Sequence, residues 1–295
     1  IKSGASQTIT TSGDITNIDG SIESSSALTL IAGGKLDNTR GKVASKQTLD
    51  IDVQQLNNNQ GKIFSTDANI AINSAGISSQ QGLIQAATDL TIDSQALDNS
   101  KGTIFGEVVD INTNNKALTS TEGNIQSSTR LSINSGALNN DSGLIQSTGE
   151  LSINTHGQAL SNQNTKTESN QDTKVDKGII SQSKLNITAG EINNASGYIG
   201  SKGNSTIDAS TIDNSRGQIQ TEADLTLTAS NTDKENSINN DAGEITAMGK
   251  AQITSDGDIT SVAGKIIANK TLNLNTQALD NSKGTIFGEV VDINT

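Results

Sequence analysis

Acidic residues and a single histidine are the side chains in this sequence that could do chemistry. Clustered carboxylates bind calcium, and beside a basic residue they can act in the cleavage of polysaccharides. The aspartates that invite this comparison are Asp50, Asp52, Asp89, Asp93 and Asp110. No arginine accompanies them as a cluster in the sequence, and the nonapeptide calcium repeat is absent. The sequence therefore predicts no catalytic residue and no metal site at these positions.

The one histidine, His156, has no cysteine or pair of carboxylates near it in the sequence. Metal and catalytic sites usually need several such groups together. We expect His156 to be a surface residue, and we expect the protein to need no cofactor and to have no enzymatic activity.

The four aromatic residues suggest a second kind of site. Phe64, Phe105 and Phe287 directly follow an isoleucine that we expect to face inward, and Tyr198 precedes one. Outward aromatic rings can stack against a sugar. Two interpretations stay open: minor apolar patches on the surface, or a carbohydrate contact.

Composition limits the possible partners. The net charge is −12, which argues against nucleic acid because phosphate binding needs lysine and arginine. No apolar run approaches the roughly 20 residues that cross a bilayer, so we expect no membrane insertion. Apolar residues make up only 31% of the chain, yet isoleucine, leucine and valine recur along its length. The chain begins without methionine, and we expect it to be a fragment of a longer protein.

A repeat of about 20 residues positions these side chains. Its units begin at Gly20, Gly41, Gly61, Gly82, Gly102, Gly123, Gly143, Gly178, Gly197, Gly217, Gly243, Gly264 and Gly284. Two residues after each of these thirteen glycines stands an isoleucine or a valine, which we expect to face inward, Ile180 after Gly178 among them. Most units continue with an alternating apolar pair, such as Leu90 and Ile92, and with a third apolar residue followed by Asp-Asn or Asn-Asn.

Alternation with period two places both members of each apolar pair on one side of a strand. Three short strands in a unit of about 20 residues predict an all-β parallel β-helix, or β-solenoid, of roughly 14 coils. We expect one repeat domain over residues 1–295, with glycine and asparagine at corners that need positive φ. We also expect the recurrent asparagine to form a hydrogen-bonded ladder between coils.

Two polar insertions interrupt the spacing, at about residues 161–177 and 231–237. Both lie where we expect corners, from which loops project without disturbing the stack. A mobile loop and a partner-contact loop are both compatible with their composition.

The stretch QALDNSKGTIFGEVVDINT occurs twice, at residues 95–113 and 277–295. The offset of 182 residues (277 − 95) carries Gly102 onto Gly284, eight unit boundaries later. Both copies therefore lie in register with the repeat, which indicates growth by block duplication or the reuse of one coil.

Units of the form L-D-N-S-x-G-x-I resemble the haemagglutinin repeats of filamentous haemagglutinin and of contact-dependent growth inhibition exoproteins. The resemblance covers essentially the whole chain. It implies a right-handed parallel β-helix, export through an outer-membrane two-partner secretion transporter, and a place outside the Gram-negative outer membrane, secreted or at the cell surface.

Two functions follow from these observations. The first is a structural stalk that extends a distal binding or toxin module for contact between cells. The alternative is an adhesin segment that itself binds a receptor or glycan on a target cell. We favour the stalk because the outward residues vary from coil to coil whereas the inward ones do not.

Overall fold

The computed structural model describes residues 1–166, 177–231 and 237–295, and every regular element in these ranges is a β-strand. The strands pair in parallel with strands about one repeat further along the chain. The fold is a parallel β-solenoid of about 13 turns with about 21 residues per turn. The predicted fold class is therefore confirmed.

Contact clustering divides the chain into two compact units. The first unit is Ile1–Asn139. Its strands are β1 (Lys2–Ser3), β2 (Gln7–Thr11), β3 (Ile15–Thr16), β4 (Ser21–Ser24), β5 (Leu28–Asp37), β6 (Lys42–Ser45), β7 (Leu49–Asn57), β8 (Lys62–Ser65), β9 (Ile70–Ser74), β10 (Ile77–Ser78), β11 (Leu83–Gln85), β12 (Asp89–Ser94), β13 (Leu97–Asp98), β14 (Thr103–Asn112), β15 (Leu118–Thr119), β16 (Asn124–Asn134) and β17 (Leu138–Asn139).

The second unit is Asn140–Thr295. Its described strands are β18 (Leu144–Ser147), β19 (Glu150–Asn154), β20 (Ala159–Ser161), β21 (Gly178–Ser181), β22 (Leu185–Thr188), β23 (Glu191–Asn193), β24 (Tyr198–Ser201), β25 (Ser205–Ala209), β26 (Thr211–Asp213), β27 (Gln218–Thr221), β28 (Leu225–Ala229), β29 (Ile238–Asn239), β30 (Glu244–Ala247), β31 (Ala251–Ser255), β32 (Ile259–Thr260), β33 (Lys265–Ala268), β34 (Thr271–Asn275), β35 (Leu279–Asp280), β36 (Thr285–Phe287) and β37 (Val290–Asn294).

Each turn has three strand segments, which we call faces A, B and C. Face A follows the glycine corner, as β8 and β11 do; face B carries the alternating apolar pair, as β9 and β12 do; face C is the short segment before the asparagine, as in β13. Some strands run on from one face to the next; β14, for example, includes faces A and B.

Equivalent apolar residues stack in columns inside each unit. On face A, Ile84 pairs with Ile63 in one neighbouring turn and with Ile104 in the other. On face B, Leu90 and Ile92 are 1% and 0% exposed. Because each aliphatic side chain is covered by its equivalents above and below, a chain with few apolar residues still has a dry core.

The corner after face C has the sequence Asn-x-x-Gly in most turns. In one example, the N–H of Gly61 donates to the carbonyl of Asn58 at 2.9 Å, and Gln60 has φ 58°. Positive φ therefore falls on the residue before the glycine, and the expectation that the glycine needs it is wrong at this corner. The glycine is required for space, since a Cβ on Gly61 would overlap the carbonyl oxygen of Asn38, one turn earlier.

The predicted ladder of asparagines is present in both units. In the second unit, Nδ2 of each asparagine donates to Oδ1 of the next at 2.7–2.8 Å. The members of this run are Asn140, Asn162, Asn194, Asn214 and Asn240. Each Nδ2 also donates to a backbone carbonyl at the start of face A in the following turn, as Asn162 does to Tyr198 at 2.9 Å.

One of the thirteen glycines has a different place from the predicted one. Gly178 pairs with Leu144, and Ile179 rather than Ile180 continues the inward column from Ile145. The prediction that Ile180 faces inward is wrong in this turn, because the extra residues before Gly178 shift the count by one. Thr165 takes the glycine's corner position, and its Oγ1 donates to the carbonyl of Asn162 at 3.0 Å.

Residues 167–176 and 232–236, which make up most of the two predicted insertions, lie outside the described ranges. Ser161 ends β20 and Asn162 belongs to the ladder. Since Thr165 occupies the corner and Gly178 begins face A, we propose that the first insertion comprises residues 166–177.

The pairing of the strands on either side of the second insertion shows how many residues are inserted. Ala229 pairs with Ser255 and Ile238 with Ile259. The two intervals are nine (238 − 229) and four (259 − 255) residues, so five residues are extra. We propose that these are residues 232–236.

Candidate functional site

Face B of the first unit brings together the aspartates that the sequence singled out. Asp50 and Asp52 project from β7, Asp89 and Asp93 from β12. These strands flank β9 and pair with it in parallel. The outward side chains of neighbouring turns therefore form rows, and one row reads Ile31, Asp52, Asn73, Asp93 and Asn112.

Two adjoining depressions open on this face. The larger, of about 480 Å³, is lined by residues that include Ile31, Asp50, Asp52, Ala71, Asn73 and Asp93. The smaller, of about 250 Å³, is lined by residues that include Asp52, Gln54, Asn73, Asp93, Ser94 and Asn114. We call the two together the outer groove; Asp52, Asn73 and Asp93 border both parts.

Asparagine side chains orient two of the carboxylates. Nδ2 of Asn73 donates to Asp52 at 3.1 Å, and Nδ2 of Asn114 donates to Asp93 at 2.6 Å. A carboxylate accepts about four hydrogen bonds, so both keep free acceptor positions. Within the described residues, neither aspartate is recorded in an ion pair.

Asp110 differs from the other aspartates because Arg130 donates to it at 2.8 Å. The sequence contained a signal for this pair: Arg130 follows Asp110 by 20 residues, which is one turn. Sequence reasoning missed it because it looked for arginine nearby in the chain. The guanidinium neutralises Asp110 on the surface, and no group of three or more His, Cys, Asp and Glu side chains in the described ranges could hold a metal ion.

The other candidate residues lie apart from the outer groove. His156 is exposed, in a turn where its N–H donates to Oδ1 of Asn154 at 2.8 Å. Phe64 and Phe105 are partly exposed on face A of the first unit, with Gln85 between them in register. The ammonium of Lys42 lies 5.3 Å from the ring centre of Phe64.

Tyr198 is half-buried in the second unit, and its ring lies against Gly200, where a Cβ would overlap it. Burial, and to a smaller extent the negative charge of Glu222, raises the pKa of the Tyr198 hydroxyl above its usual value. The ring is therefore less available for stacking on a ligand than its outward position in the sequence pattern suggested.

Comparison with known families agrees with this geometry. The model of the haemagglutinin repeat matches residues 1–63, 44–119, 108–165, 147–192, 169–261 and 228–287. The chain belongs to the haemagglutinin repeat family. No curated protein and no solved structure matches it.

Membership of the haemagglutinin repeat family confirms the resemblance to the repeat region of filamentous haemagglutinin. Haemagglutinin repeats on a β-solenoid fit a structural stalk of adhesin type. Proteins with these repeats are secreted or exposed at the cell surface, and the family is associated with two-partner secretion. In the part of the chain that is described, no helix has the length and apolar character to cross a membrane.

Proposed function

We propose that this chain is the structural stalk of a large secreted or cell-surface bacterial exoprotein, where it extends a distal binding or toxin module for contact between cells. The observation that carries the proposal is the difference between the two sides of each strand. Inward positions of face B keep the same character from turn to turn: Leu30, Ile51, Ile72, Ile92 and Ile111. The adjacent outward positions change character: Thr29, Asp50, Ala71, Thr91 and Asp110.

This pattern supports a role that depends on the stack rather than on one surface. Backbone hydrogen bonds and the asparagine ladder both connect each turn to the next. Each turn is therefore stabilised mainly by its two neighbours. An outer-membrane two-partner secretion transporter is the partner that family membership suggests.

The alternative function, an adhesin segment that binds a receptor or glycan on a target cell, is favoured by two local features. These are the outer groove on face B and the partly exposed Phe64 and Phe105 on face A. If either feature binds the receptor, that one region of the surface is required for attachment to the target cell.

Removal of one whole turn tests the stalk. Deleting residues 197–216 joins Ser196 to Gly217 and so joins two equivalent corners. We expect the surface-displayed protein to stay folded and its attachment to target cells to change by less than about tenfold, or roughly 1.4 kcal/mol.

Deleting residues 197–206, half a turn, is the control and should prevent folding of the second unit, because it breaks the register. The stalk proposal fails if the whole-turn variant is folded, by circular dichroism, but has lost attachment by much more than tenfold.

A further inference from the structure

Serine takes the place of asparagine in the ladder at one turn of each unit in which the following asparagine belongs to the same unit. Ser79 of the first unit is followed by Asn99, and Ser261 of the second unit by Asn281. Oδ1 of both asparagines is buried without a hydrogen-bond partner among the described residues. In the uninterrupted run of the second unit, that oxygen accepts from the preceding asparagine at 2.7–2.8 Å. A buried acceptor without a donor costs free energy.

The serine oxygen occupies the position of an asparagine Oδ1. A Cβ on Gly61 would lie 2.5 Å from Oδ1 of Asn58, and a Cβ on Gly82 would lie 2.6 Å from Oγ of Ser79. Oγ of Ser79 also accepts from Nδ2 of Asn58 at 3.0 Å, as an Oδ1 does elsewhere in the ladder. The group that serine lacks is therefore the amide nitrogen, which is the donor to the next turn.

Three oxygen atoms surround that nitrogen in an intact turn of the first unit. Nδ2 of Asn38 donates to Oδ1 of Asn58 at 2.7 Å. It also donates to the carbonyls of Gly41 and Lys62, both at 3.3 Å. The position of the nitrogen is therefore a place where acceptors from two turns converge.

The strand register gives the equivalent acceptors beside Ser79. Lys62 pairs with Leu83, and Leu83 pairs with Thr103. The carbonyl of Thr103 is therefore the equivalent of the Lys62 carbonyl two turns earlier, and Oδ1 of Asn99 is the equivalent amide oxygen. Ser79 and Asn99 are both 0% exposed, so bulk solvent does not reach these groups.

The chemistry of these groups indicates the ligand. Two oxygens can accept hydrogen bonds, and the hydroxyl of Ser79 can donate one, since no hydrogen bond that it donates is recorded in the described ranges. A buried water typically makes about three hydrogen bonds, as donor and acceptor. A cation bound only by these neutral oxygens would lose its hydration without a balancing charge.

We propose that one water molecule binds between turns at Ser79, where Nδ2 of asparagine lies in other turns, and that a second binds in the same way at Ser261. Each water accepts a hydrogen bond from the serine hydroxyl. It donates one to Oδ1 of the following asparagine and one to the carbonyl of Thr103 or, in the second unit, of Thr285. A serine with its water thus makes the hydrogen bonds of an asparagine.

Magnetic relaxation dispersion of the water oxygen, measured on the whole chain, counts waters that stay bound for long times. Ser79→Asn with Ser261→Asn supplies both donors covalently and should lower that number by two. The matched control, Ser128→Asn at an exposed position of β16, should leave it unchanged. Asn214→Ser, in the uninterrupted run, should raise it by one, because it removes the nitrogen that donates to Asn240.

Circular dichroism checks that each variant is folded. An unchanged number of long-lived waters in the folded double variant would overturn the proposal, and so would an equal loss in the control. No gain in folded Asn214→Ser would overturn it as well.

A crystal structure of the parent chain identifies the ligand. We expect density about 2.7–3.0 Å from Oγ of Ser79 and from Oδ1 of Asn99, which are hydrogen-bond distances. Contacts of about 2.3–2.6 Å to several oxygens would show a metal ion and would contradict the proposed water. None of these outcomes depends on whether the chain is a stalk.

Discussion

At the scale of single residues, the corner glycines are limited by space rather than by backbone conformation. A Cβ on Gly61 would overlap a backbone carbonyl of the preceding turn, which cannot move without breaking the register. Gly13, also in the first unit, has only one neighbour for such a Cβ, Oγ1 of Thr11 at 3.8 Å.

We therefore expect Gly61→Ala to lower the free energy of unfolding by about 1–3 kcal/mol, as overpacking does elsewhere. Gly13→Ala, the matched control, should change it by less than about 0.5 kcal/mol. Urea denaturation of the two variants gives the comparison. Similar losses in both would show that the glycines are needed for another reason.

Tyr198 allows a direct titration, because it is the only tyrosine and the chain has no tryptophan. Burial raises its pKa, so in the folded protein tyrosinate absorbance should develop above the usual value of about 10. The stability that Tyr198 contributes is complete below pH 10 and is lost as the pH rises through the folded pKa.

The variant Glu222→Gln removes the smaller of the two causes of the raised pKa. Tyr198 in this variant should therefore titrate at a lower pH than in the parent protein but still above the ordinary value. Unfolding in urea should restore an ordinary pKa. A native titration already at the ordinary pKa would contradict the half-buried position of the ring.

At the scale of elements, serine interrupts the asparagine ladder. In the first unit Asn58 donates to Ser79 Oγ at 3.0 Å and Asn99 donates to Ser120 Oγ at 3.2 Å. Oδ1 of Asn99, which follows Ser79 by one turn, is buried without a partner among the described residues. Asn281, which follows Ser261, has the same unsatisfied oxygen. A serine in the ladder therefore accepts a hydrogen bond from the asparagine of the preceding turn but donates none to the asparagine of the following turn.

Ser79→Asn should restore the missing donor while still accepting from Asn58, and we expect a gain of about 1 kcal/mol in the free energy of unfolding. Ser128→Asn, at an exposed position of β16, should give no gain. Asn194→Ala, in the uninterrupted part of the ladder, removes the hydrogen bonds that Asn194 makes with Asn162, Asn214 and the carbonyl of Gln218 and should cost about 1–3 kcal/mol. Thermal or urea unfolding of the three variants checks the order, and a loss with Ser79→Asn would contradict the assigned ladder.

Much of this architecture could be predicted from the sequence because each turn repeats the same physical demands. The alternation of Leu90 and Ile92 predicted the inward side of β12, and the recurrent asparagine predicted the ladder. The inward position of Ile179 rather than Ile180 could not be predicted. After an insertion, the sequence does not show at which residue the register of the repeat resumes. The outer groove was also missed as a site, because its parts belong to separate turns and become neighbours only through pairing.

At the scale of the whole molecule, we expect the repeats to tolerate insertions at positions that leave every turn complete. The first predicted insertion, residues 161–177, includes Asn162 and Thr165, and both make hydrogen bonds with the following turn. We propose that residues 166–177 are the inserted part, because Gly178 pairs with Leu144, the residue directly after Gly143.

Deleting residues 166–177 should leave the melting temperature within about 2 °C of the parent, because it joins Thr165 directly to Gly178. Deleting residues 161–177 should lower it by several degrees, since it leaves buried partners of Asn162 and Thr165 without hydrogen bonds. Differential scanning calorimetry distinguishes the two. Equal melting temperatures would show that the corner residues contribute nothing to the stack.

The repeated segment at residues 95–113 and 277–295 has a consequence for how such a gene changes. Both copies form face A and face B strands in the same register, β14 in the first unit and β36 with β37 in the second. If the coding DNA is as similar as the protein, homologous recombination between the copies adds or removes 182 residues at a time. Every junction made in this way falls between equivalent positions of the repeat, so unequal crossing-over would vary the chain by eight complete turns and leave each product able to fold.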